Sequence, residues 1–79
     1  MATRSLFDEV VAASGLNELV APFTVSRLLL RADIQPDSLD PEALDRALPE
    51  LERGIRPYLT AAEVDAAMGR LRALSAPAA

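Results

Sequence analysis

The chain has 79 residues, 51% of them hydrophobic, with twelve acids against eight basic residues and a net charge of −4. One domain, 1–79, is what this length allows, near the lower limit for a self-sufficient core, and the apolar content excludes disorder as the default state. There is no cysteine, histidine or lysine, which excludes disulfides, thiol chemistry and the usual imidazole and amine bases.

Most of the apolar residues are Ala and Leu, which favour helix, and no stretch alternates apolar and polar residues as a half-buried strand does. The fold class is therefore all-α, a small bundle of four main helices at about 6–14, 22–32, 41–58 and 61–74. The first helix has Ser5 as N-cap and Asp8 three residues on, in capping-box position. Leu6, Phe7, Val10 and Val11 share a face. Gly15 stops the helix as a left-handed residue, and Leu16 can fold back onto Val11.

Asn17 to Ala21 reads as a single turn, because Pro22 disfavours helical geometry at Ala21. The second helix then starts near Pro22 or Thr24. Its Phe23, Val25, Leu28, Leu29 and Leu30 surround the axis, which is the pattern of a central helix touched on both flanks. Arg27 and Arg31 mark its wet edge.

Asp33 to Asp40 is a linker with Pro36 at its middle. Asp40, Pro41 and Glu42 open the third helix as N-cap, first helical residue and dipole partner. Leu44, Leu48, Leu51, Ile55 and Tyr58 or Leu59 follow on one face. Pro49 removes a backbone donor, so a kink or break is expected there, and Gly54 and Pro57 weaken the far end. Thr60 and Glu63 form a capping box before the last helix, with Leu59 and Val64 as its hydrophobic staple. Val64, Ala67, Met68, Leu71 and Leu74 make its inward stripe, and 75–79 is a frayed tail.

The chemistry available is slight. Hydroxyls such as Thr24, Ser26 and Tyr58 have no obvious activating base, and the carboxylates fall at caps or on polar faces, including Glu42 with Arg46 and Glu52 with Arg56, each four apart. No phosphate loop, calcium loop or zinc spacing occurs, so the chain is read as non-catalytic, with no metal site. Asp8 and Glu9 stand where a signal peptide would be apolar, and no apolar run reaches membrane length. A cytoplasmic protein without membrane contact is expected. The second and third helices could be taken for a helix-turn-helix reading DNA, but Glu42 and Asp45 open the would-be recognition helix, and carboxylates there repel phosphate.

The string Asp37-Ser38-Leu39-Asp40 resembles the attachment motif of acyl and peptidyl carrier proteins. Leu44, Ala47 and Leu48 follow the serine at similar offsets, and Ala32-Asp33-Ile34 precede it in a similar way. The resemblance implies a phosphopantetheine cofactor on Ser38 and an acidic helix behind it that docks basic enzymes. Gln35 and Pro36 depart from the family, which commonly has a glycine two residues before the aspartate.

The leading expectation is a helical protein–protein interaction module, binding a protein partner or forming a homodimer. The apolar surplus of the second helix supports it, with Phe23, Val25, Arg27, Leu28, Leu29, Leu30 and Arg31 as partner-binding candidates. An atypical carrier protein modified at Ser38 is the alternative, and a DNA-binding domain is third.

Overall fold

The computed structural model describes residues 5–75, and among these it holds four α-helices and no strand. The helices are α1 (Leu6–Ala13), α2 (Ala21–Arg31), α3 (Pro41–Ile55) and α4 (Ala61–Ser75), with 3₁₀ turns at Pro36–Ser38 and Arg56–Tyr58. The all-α bundle expected from the sequence is what forms. No helix among the described residues is long and apolar enough to cross a membrane. Of the tail expected at 75–79, Ser75 belongs to α4, and 76–79 lies outside the described residues.

Local signals fix the helix ends. Ser5 Oγ accepts from the Asp8 amide at 3.1 Å, and Asp40 Oδ1 accepts from the Ala43 amide at 2.7 Å. Thr60 and Glu63 close their capping box in both directions, at 2.9 and 3.2 Å. The Thr60 amide, and then its side chain, hold the Glu63 carboxyl below the usual carboxylate range. With the folded pKa depressed, this contribution is present above the unfolded pKa and fades as pH falls through the folded one. Thr60→Ala should cost roughly 1 kcal/mol in a urea melt, because it orphans the Glu63 amide. An unchanged midpoint would show that the box adds nothing.

Gly15 takes the expected left-handed conformation, φ 76°. The Leu16 amide, however, is bonded to Ser14 Oγ at 3.3 Å, while the same hydroxyl donates to the Val11 carbonyl at 2.8 Å. Ser14 is the one buried polar residue among those described, and both of its bonds are local. Arg70 of α4 reaches the same helix end, donating through Nε to the Ala13 carbonyl at 3.1 Å. A cation there also favours the helix dipole.

The end of α2 is built differently from what the linker reading implied. The Ile34 amide donates to the Leu29 carbonyl at 2.9 Å and the Asp33 amide to the Leu30 carbonyl at 3.0 Å. These are the two bonds of a Schellman cap. Its left-handed position is held by Asp33, φ 63°, and the apolar residue after it, Ile34, is buried. An L-residue other than glycine is strained there. Asp33→Gly should therefore stabilise the fold by about 0.5–1 kcal/mol, less whatever the freer unfolded chain takes back. A lower melting temperature would mean that Asp33 has a role beyond the turn.

Two further expectations are corrected. Helix α2 begins at Ala21, one residue before Pro22, since a proline is tolerated in the first turn, where its missing donor has no partner to lose. Of the kink or break expected at Pro49, the break does not form: α3 runs from Pro41 to Ile55 with Pro49 inside it. Pro49 and Asp45, whose carbonyl loses its helical donor, are both exposed, so water can take the vacated bond. The far end does tighten into the 3₁₀ turn at Arg56–Tyr58.

The helices form a ring in chain order: α3 packs between α2 and α4, and α1 closes the ring against both. Val10, Val25, Leu29, Leu44, Leu51, Ile55 and Leu71 fill it, each under 2% exposed. Met68 lies among them at 3%. Of the two side chains offered for the end of the α3 face, Leu59 packs on the core and Tyr58 stays exposed.

Candidate functional site

Helix α2 has neighbours on one side only. At 3.6 residues per turn, Ala21, Val25, Leu28 and Leu29 point inward and are buried. The opposite arc carries Phe23 and Leu30, which remain 77% and 51% exposed. This corrects the central-helix reading, because a ring of four short helices leaves α2 an outer face.

The turn before α2 extends that face. Asn17 Oδ1 accepts from the Leu19 amide at 2.9 Å, and the Asn17 carbonyl accepts from Val20 and Ala21 at 3.0 and 2.8 Å. The chain thus enters α2 already coiled, with Leu19 and Val20 one turn ahead of Phe23 and Thr24. Leu19 is 82% exposed and Val20 is 49% exposed. Leu19, Val20, Phe23 and Leu30 make one apolar strip, with Arg27 and Arg31 exposed along its C-terminal half. Leu16 does not join it, being half-buried against the core.

Of the seven partner-binding candidates, the structure brings Phe23, Arg27, Leu30 and Arg31 together on the surface. Val25, Leu28 and Leu29 are consumed by the chain's own core. Sequence reasoning placed all five apolar side chains around the axis because phase alone does not say which arc meets a neighbour. It passed over Glu18, exposed in the turn before α2, where it lines a shallow hollow on the α1 side with Asp8, Val11, Ala12 and Leu16.

Charge on this face is not neutralised internally. Among the described residues the ion pairs are Arg56–Glu52 at 2.6 Å and Arg53–Glu50 at 3.9 Å, both on the α3 side. Glu52–Arg56 is the pair expected from the spacing, but Glu42 and Arg46 do not pair and both stay exposed. Glu42 and Asp45 are exposed at the start of α3, so a DNA-reading helix here would present carboxylates to phosphate.

Ser38 ends the 3₁₀ turn before α3 and is exposed. Its amide donates to the Gln35 carbonyl at 3.0 Å, and Asp40, two residues on, does the capping. Asp37 precedes it in the turn, and Asp40, Glu42 and Asp45 follow at the start of α3, all exposed. None of the described carboxylates is buried, and no cluster among the described residues could hold a metal ion.

No protein-family model matches the chain, and neither a curated protein nor a solved structure matches it.

Proposed function

We propose that this chain is a non-catalytic helical docking module whose working surface is the outer face of α2. The observation that supports it is the exposed strip of Leu19, Val20, Phe23 and Leu30. Large apolar side chains gathered in water on one helix face suit an interaction site. Its aromatic centre and arginine edge have the composition of an interface core, in which Phe and Arg are enriched. Phe23→Glu and Leu30→Glu should leave the thermal melt close to that of the parent chain, since both side chains already stand in water. Each should abolish the association of the chain with a protein partner, captured from the cells of origin or purified. Association that survives both substitutions would overturn this reading.

A second reading is supported by Ser38. Its exposure and the free acidic surface beside it suit a carrier protein, in which phosphopantetheine is attached to a serine and basic enzymes dock on the helix behind. Incubation with coenzyme A and a broad-specificity phosphopantetheinyl transferase decides it by intact mass. A gain of one phosphopantetheine, abolished by Ser38→Ala, would put this reading first. No gain would retire it.

A further inference from the structure

We draw no further inference here: the strongest candidate, the exposed apolar strip of Leu19, Val20, Phe23 and Leu30 on the outer face of α2, carries none, because nothing in the structure shows what covers it.

Discussion

Met68→Ala should destabilise the fold by about 2–4 kcal/mol, the usual cost of emptying a buried methionine site. Met68 is 3% exposed and belongs to the inward stripe of α4, where Val64, Ala67 and Leu71 are also buried. A chain of this size has a net stability of roughly 4–12 kcal/mol by per-residue scaling, so the loss is a large part of the whole. Urea denaturation followed by circular dichroism reads it directly. The midpoint should fall sharply while the helical signal in water persists. An unchanged midpoint would place Met68 outside the core and contradict the packing of α4 against α3.

Gly54→Ala should also destabilise, by up to about 2 kcal/mol net, although alanine is the better helix former. Gly54 lies in the last turn of α3, where α2 crosses. A methyl group there would stand 2.8 Å from Cγ of Leu28 and closer still to both methyl groups of that side chain. Leu28 is 2% exposed, so it has to shift within the core and not out into solvent. Overpacking of this kind costs about 1–3 kcal/mol, against roughly 1 kcal/mol gained in helix propensity. Gly69 in α4 is the control, because nothing lies within 4 Å of the added methyl. Gly69→Ala should stabilise by about 0.5–1 kcal/mol. Substitutions of equal sign at the two glycines would mean that α2 and α3 do not cross at Gly54.

The contrast between these glycines shows what was legible in the chain and what was not. Each is a glycine inside a helix, and only the pairing of Gly54 with Leu28, twenty-six residues away, separates them. Ser5, Gly15, Asp40 and the Thr60–Glu63 box were legible because a cap is a contact between residues two or three apart. The Schellman cap at Asp33 is equally local and left a signal, the apolar Ile34 just past the last turn, but a non-glycine residue holds its left-handed position. Arg70 on the Ala13 carbonyl spans fifty-seven residues and left no signal at all.

The candidate surface was half legible for the same reason. That α2 has more apolar side chains than a four-helix ring can cover follows from its composition. Which of them stay outside follows from where α1 and α3 lie. Leu28 and Leu29 turn inward and Leu30 outward, a division that rests on the 100° step from each residue to the next and on neighbours distant in the chain.

Amide chemical shifts of the uniformly ¹⁵N-labelled chain, recorded as a protein partner captured from the cells of origin is added, test the central claim most directly. The account requires shifts concentrated between Leu19 and Arg31, strongest at Leu19, Phe23, Arg27 and Leu30, with α4 and the Ser38 turn unmoved. Shifts that centre on another face of the bundle would contradict it.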